Sequence, residues 1–177
     1  MGVFDISTSL YVVGTLFTPS QPYLRLRWSG TPTQTISSNA TTRVAFDTLI
    51  DTTQSAEAED ALMVPALTAP NAGWVQLKVA GLYLVEASIS LTSPVAATKA
   101  RRVSIRLNGA IFKFENSSIS GDEDDDASIV GTVRVKRSDL SDITFPDTAK
   151  LEIVFTNTNS AAVSVVQGSS LAVPFLG

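Results

Sequence analysis

Ala80-Gly-Leu-Tyr-Leu-Val-Glu-Ala-Ser-Ile-Ser-Leu-Thr92 is the stretch that decides the fold. Its alternate positions Tyr83, Val85, Ala87, Ile89 and Leu91 are all apolar, while the intervening set passes from Leu82 and Leu84 to Glu86, Ser88, Ser90 and Thr92. Successive side chains of a strand point to opposite faces, so this pattern predicts a β-strand with one face on a core. Gly81 stands just before it, where the backbone must bend. The drift of the second face from leucine to glutamate and serine predicts that one end of that face is covered and the other meets water.

Working outward, the same alternation recurs. Tyr23–Trp28 sets Leu24, Leu26 and Trp28 against tyrosine and two arginines, and Arg43–Ile50 points Val44, Phe46, Thr48 and Ile50 one way. Trp74–Val79, Arg102–Leu107, Ala110–Phe114, Ala127–Arg137, Lys150–Asn157, Ala162–Gln167 and Leu171–Leu176 continue it, and the proline-punctuated Met63–Pro70 suits an edge strand. Asn108-Gly109 is a strong hairpin signal. Asp51–Asp60, Ser93–Ala100, Glu115–Asp126 and Ser138–Asp147 read as loops or connections, and Ser29–Thr42 as a loop or an irregular edge stretch. With roughly nine or ten strands and no helical periodicity, an all-β sandwich of two sheets follows.

A chain of 177 residues supports one substantial core. Residues 1–22 differ in character, with an apolar Leu10–Phe17 followed by Thr18-Pro-Ser-Gln-Pro22, and are expected to form an N-terminal arm or an extra strand attached to a domain over 23–177. Leu10–Phe17 is too short to span a bilayer, which takes about 20 residues, and no secretory leader is recognisable. A soluble chain made in the cytoplasm is therefore expected.

The charged fraction is 17%, against about 25% in typical soluble domains, and the net charge is −4. Such a surface favours protein partners over nucleic acid, which needs clustered lysine and arginine. There is no cysteine and no histidine. That removes thiolate and imidazole metal ligands, the commonest general base, and any Ser-His-Asp triad. Asp47, Asp51, Glu57 and Glu86 cannot be matched into an opposed carboxylate pair from sequence, so no enzyme is expected. Gly121-Asp-Glu-Asp-Asp-Asp126 holds enough carboxylates to contemplate calcium but lacks an EF-hand's glycine and terminal glutamate, and reads as a solvated loop. No cofactor or metal is expected. Arg25, Arg27, Arg101, Arg102, Arg134, Lys136 and Arg137 fall on outward positions, where basic residues guard against stray pairing or bridge to a partner.

Taken together, Gln34-Thr-Ile-Ser-Ser-Asn-Ala-Thr-Thr-Arg-Val-Ala-Phe-Asp-Thr48, Val79–Ile89 with its Gly-x-Tyr, Ile105-Arg-Leu-Asn-Gly109, Lys150–Asn157 and the closing Leu171–Leu176 resemble the jelly-roll domains of the tumour necrosis factor and complement globular-head superfamily. The versions in bacteriophage structural proteins are especially similar. The resemblance runs from Gln34 to the last residue. It departs at Ser141–Asp147, where the family often has an aromatic and a Gly-Asp pair. It implies about ten antiparallel strands in two sheets, assembly as a homotrimer, and a binding role toward receptors, carbohydrates or virion surfaces. The function expected is therefore a non-enzymatic virion structural protein, a trimeric decoration or cement protein on the exterior of a phage capsid. Its partners would be itself and the major capsid protein, with no nucleic acid or membrane. The alternative is a receptor- or glycan-binding module at a fibre or tail tip. Candidate subunit or capsid contacts are Phe4, Leu10, Tyr11, Val12, Val13, Leu16 and Phe17 in the arm, with Trp74, Leu82 and Leu84 in the domain.

Overall fold

The computed structural model describes residues 21–31, 33–53, 61–92, 99–119, 125–140, 147–158 and 160–177. Within them the chain forms β1 (Tyr23–Arg27), β2 (Gln34–Ile36), β3 (Thr41–Arg43), β4 (Thr48–Thr52), β5 (Met63–Ala66), β6 (Trp74–Leu77) and β7 (Gly81–Thr92). There follow β8 (Lys99–Leu107), β9 (Ala110–Ile119), β10 (Asp125–Val135), β11 (Ala149–Asn157), β12 (Val163–Val165) and β13 (Ser170–Pro174), with one 3-10 turn at Arg137–Asp139.

The decisive stretch is the longest strand, and it is central. β10 pairs along one edge of β7 from Val135↔Gly81 to Asp125↔Leu91. Along the other edge lie β13 and, near the strand's end, β12. β13 leads on to β1 and β4, and β12 to β2, completing a seven-stranded antiparallel sheet. The second sheet has six strands in the order β5-β6-β11-β8-β9, with β3 beside the end of β11.

Alternation puts one set of side chains from each sheet between the two layers. Tyr83, Val85, Ala87, Ile89 and Leu91 of β7 are buried there with Leu24, Leu26, Ile129, Val133, Leu171 and Val173, facing Val75, Leu77, Val103, Ile105, Leu151, Ile153 and Phe155 of the smaller sheet. Tyr83 fills one end of this core: its ring centroid lies 5.0 Å from that of Phe175, and its hydroxyl donates to the carbonyl of Val79 at 2.7 Å. Gly81 leaves room for that aromatic lid, since a Cβ at this position would come within 2.4 Å of Phe175 Cε2. The residues after β13 then pair with the start of β7, where Leu82 N donates to Gly177 O and Leu176 N to Leu82 O, both at 2.7 Å.

Asn108 (φ 50°) and Gly109 (φ 81°) both take the left-handed conformation that a two-residue hairpin requires. Asn108 also ties the hairpin down, because its amide donates to Asp139 O and its Oδ1 accepts from Lys150 N, both at 2.7 Å.

Several expectations are narrowed or corrected. Of the two readings of Ser29–Thr42 the irregular edge stretch holds, since it contains the edge strand β2 and the start of β3. Arg43–Ile50 is not one strand: Val44 and Phe46 are buried, but a register shift between Arg25 and Leu26 leaves Ile50 as an extra residue on β4, and it is 47% exposed. The polar run Glu115–Asp126 is largely strand backbone, because β9 continues to Ile119 and β10 begins at Asp125. Thirteen strands lie within the described residues, and the pieces not anticipated are the three-residue β2 and β3, too short to display a period. Residues 1–20 of the arm, residues 54–60, most of the acidic run and residues 141–146 lie outside the described residues.

Candidate functional site

A two-layer sandwich has two outward faces, and here they differ in kind. On the larger sheet, strand register sets out the side chains in rows. One row reads Arg25, Ala172, Glu86, Val130 across β1, β13, β7 and β10; the next reads Arg27, Ser170, Ser88, Ser128. On the other side of the first row lie Tyr23 beside Pro174 and Leu84 beside Thr132. The small residues in the middle leave a concavity of about 600 Å³, floored by Ala87, Ser88, Ser170, Leu171 and Ala172 and walled by Tyr23, Arg25, Pro174, Glu86, Ser128 and Val130. Val130 is 48% exposed on its rim.

The charges of this face are held in different ways. The Tyr23 hydroxyl donates to Asp51 Oδ2. That bond raises the Tyr23 pKa above its usual range, with desolvation and the Asp51 charge adding to it and Arg25 opposing. Arg25 stands in register between Asp51 on β4 and Ala172 on β13, and Glu86 lies beyond Ala172. The one ion pair within 4.0 Å between described residues is elsewhere, so Arg25 and Glu86 face outward with no partner among them.

Over β3, β6 and β11 the outward face of the smaller sheet is covered by the chain's own side chains. Trp74 Nε1 donates to Glu152 Oε2 at 3.0 Å, and the indole is flanked by two cations, with the Arg43 guanidinium carbon 4.4 Å and Lys150 Nζ 4.3 Å from the ring centroid. Arg43 Nη1 lies 4.0 Å from Glu152 Oε2, and the same guanidinium donates to the carbonyls of Pro70 and Ala72. Burial pushes the Arg43 pKa down from its ordinary value, and Glu152 opposes that shift. Under this layer even outward-pointing Ser104, Glu152 and Val154 are buried. Glu152→Ala is expected to cost about 2 kcal/mol in urea unfolding, since it strips the acceptor from a part-buried indole and the counter-charge from Arg43; Glu152→Gln keeps an acceptor and should cost less.

Of the residues singled out from sequence, Trp74 therefore sits within the closed layer, half-buried between Arg43 and Lys150. Leu82 and Leu84 are half-buried on the open face, where Leu82 is flanked by the strand-like tail and paired with Arg134. Phe4, Leu10, Tyr11, Val12, Val13, Leu16 and Phe17 lie outside the described residues. Of the four acids weighed for catalysis, Glu57 is outside the described residues and the other three are held apart: Asp47 accepts from Ser29 N at 2.9 Å, Asp51 from Tyr23, and Glu86 lies on the open face. Among the described residues no group of three acids gathers as for a metal ion, and no helix is long and apolar enough to cross a membrane. The concavity itself was not anticipated. Its members are each visible as off-core positions of separate strands, but only the pairing of β1, β13, β7 and β10 brings them together.

No protein-family model matches the chain, and no curated protein sequence matches it. Solved structures do. Murine APRIL at pH 5.0 superposes with a TM-score of 0.59 at 12% identity, covering 88% of this chain and 99% of that one. The fold is a tumour necrosis factor-like jelly roll. Zebrafish complement 1qA's globular domain gives the same arrangement at a TM-score of 0.53 and 11% identity, over 88% of this chain and 96% of its own. The vertex protein P5 of phage PRD1 matches this jelly roll with a TM-score of 0.58 at 14% identity, over 88% of this chain and 73% of that chain. The resemblance noted in the sequence is thus met in the architecture, with a viral structural protein among the similar folds.

Proposed function

We propose that this chain is a non-enzymatic virion structural protein that assembles as a homotrimer and decorates, or cements, the exterior of a bacteriophage capsid. The observation that carries this reading is the inequality of the two outer faces. One is roofed by its own Trp74–Arg43–Lys150–Glu152 layer, while the other presents half-buried Leu82 and Leu84, exposed Val130 and an open concavity. A patch of this kind marks a surface meant for protein. The likeness of fold to a phage vertex protein supports a virion setting, although fold by itself does not choose a role. In this reading copies of the chain bury the open face against one another, and the arms before Pro22 bridge to the major capsid protein.

Light scattering on the purified chain should give three times the monomer mass. Deleting residues 1–21 should leave that mass unchanged and abolish co-sedimentation with capsids that lack the protein. A deleted chain that still saturates capsids would remove the arm from the reading. The second reading, a receptor- or glycan-binding module at a fibre or tail tip, is favoured by one feature: Ile111 and Phe112, 52% and 46% exposed, flank the Asn108–Gly109 hairpin at one end of the sandwich. Binding of the isolated protein to bacterial cells, with none to capsids, would select it.

A further inference from the structure

We infer that copies of this chain are joined across the open face by an ion pair that no single copy makes, Arg25 of one with Glu86 of the next. The inference rests on the self-association proposed above and names the contact that would hold it. Arg25 and Glu86 occupy the same row of the larger sheet, separated by β13 and its small Ala172. With strands about 4.8 Å apart, their backbones stand roughly 10 Å from each other. They form opposite walls of the concavity and make no ion pair within 4.0 Å with any described residue.

The other charges near them are accounted for. Asp51, the cross-strand neighbour of Arg25 on β4, has its carboxylate turned to the Tyr23 hydroxyl. Arg27 lies one row away beside Ser170, and Arg134 lies at the far end of the face beside Leu82. Glu86 has only Ala172 and Val130 beside it in its row. Covering this face with an apolar partner would therefore strand one cation and one anion away from water, which is heavily penalised. In a three-fold ring Arg25 of each copy meets Glu86 of the next, and its own Glu86 meets Arg25 of the one before, so copies of the same chain answer both charges. Ala172 and the serines leave the space into which a neighbour's side chains would pass. Among the described side chains of the smaller sheet, the carboxylate of Glu152 is already engaged by Trp74 and Arg43.

Charge exchange tests this on the full chain. Arg25→Glu, Glu86→Arg and the double exchange are compared with the unaltered protein by sedimentation equilibrium over a wide concentration range, with circular dichroism and melting as checks of folding. Each single reversal sets like charges against each other and should raise the dissociation midpoint by about a hundredfold. The double exchange recreates the pair with its sense inverted and should return the midpoint to within about tenfold of the original. Should a reversal fail to fold, Arg25→Gln and Glu86→Gln take its place, and a true pair requires their combination to lose no more than either alone. If the unaltered chain assembles and the single variants assemble equally well, or the double exchange stays dissociated, the pairing is wrong while self-association stands. If the unaltered chain is monomeric throughout, self-association itself falls, and the pairing with it.

Discussion

Tyr83→Ala lowers the unfolding free energy by about 4 kcal/mol, the range found when a large buried aromatic is truncated. Tyr83 is fully buried, packs on Phe175 and holds the carbonyl of Val79, so the change opens a cavity at the end of the core and loosens the lid that covers it. Tyr83→Phe keeps the ring and loses the hydrogen bond alone, at about 1 kcal/mol. The phenol also sets a pH limit. Desolvation pushes its pKa up to about 12 from the ordinary 10.0, with the bond to Val79 opposing. The native state thus keeps a proton that the unfolded chain gives up, and this preference for the native state is intact below about pH 10. Stability should fall between about pH 10 and 12, by up to about 3 kcal/mol, and Tyr83→Phe should flatten that part of the profile. Urea denaturation followed at several alkaline pH values measures both effects, and an unchanged slope in the phenylalanine variant would assign the loss elsewhere.

Asn157→Ala is the second large effect, at about 3 kcal/mol. Asn157 is fully buried, and its amide nitrogen lies 3.1 Å from the carbonyls of Ile36 and Ser37 and 2.9 Å from that of Ala161. Its backbone N–H donates to Ala40 O at 2.8 Å. One side chain thus satisfies carbonyls from the β2–β3 connection and from the approach to β12. Alanine takes a donor from all three, at about 1 kcal/mol each, and the Ser37 carbonyl keeps only the N–H of Ala40. Because the loss centres on those connections, hydrogen exchange should quicken first at the amides of β2 and β12. Equal acceleration in β7 and β13 would mean that the residue supports the whole sandwich instead.

What could be read from the sequence follows from the length and burial of each strand. β7, β10 and β11 are long and lie against the core on one face, so their alternation survives intact, and Tyr83, Ile129, Ile153 and Phe155 were placed inward on that ground. β2 and β3 are three residues each and hidden among serines and threonines, where a single apolar residue, Ile36, makes no period. Ile50 misled because a bulge changes the face of everything beyond it, and bulges are written in the pairing of two strands rather than in one. Trp74 was read as a contact because it falls opposite the core. Its cover comes from Arg43 and Lys150, whose charged heads lie against the ring. The open face was out of reach for a different reason: Arg25, Glu86, Val130 and Ala172 come from four strands spread over most of the chain, and nothing local announces that they adjoin.

β13 lies between β1 and β7, so the last strand of the sandwich is a wedge driven between its first strand and its longest. A nascent chain on the ribosome cannot build the larger sheet while residues 170–174 are still inside the exit tunnel. Until they emerge, β1 and β7 each present a long unpaired edge backed by Leu24, Leu26, Val85 and Ala87. Nearly all the pairings are distant in sequence, which places this protein among the high-contact-order folders that close late and slowly. Its yield in a cell therefore turns on a race between insertion of that strand and aggregation of the half-made sheet.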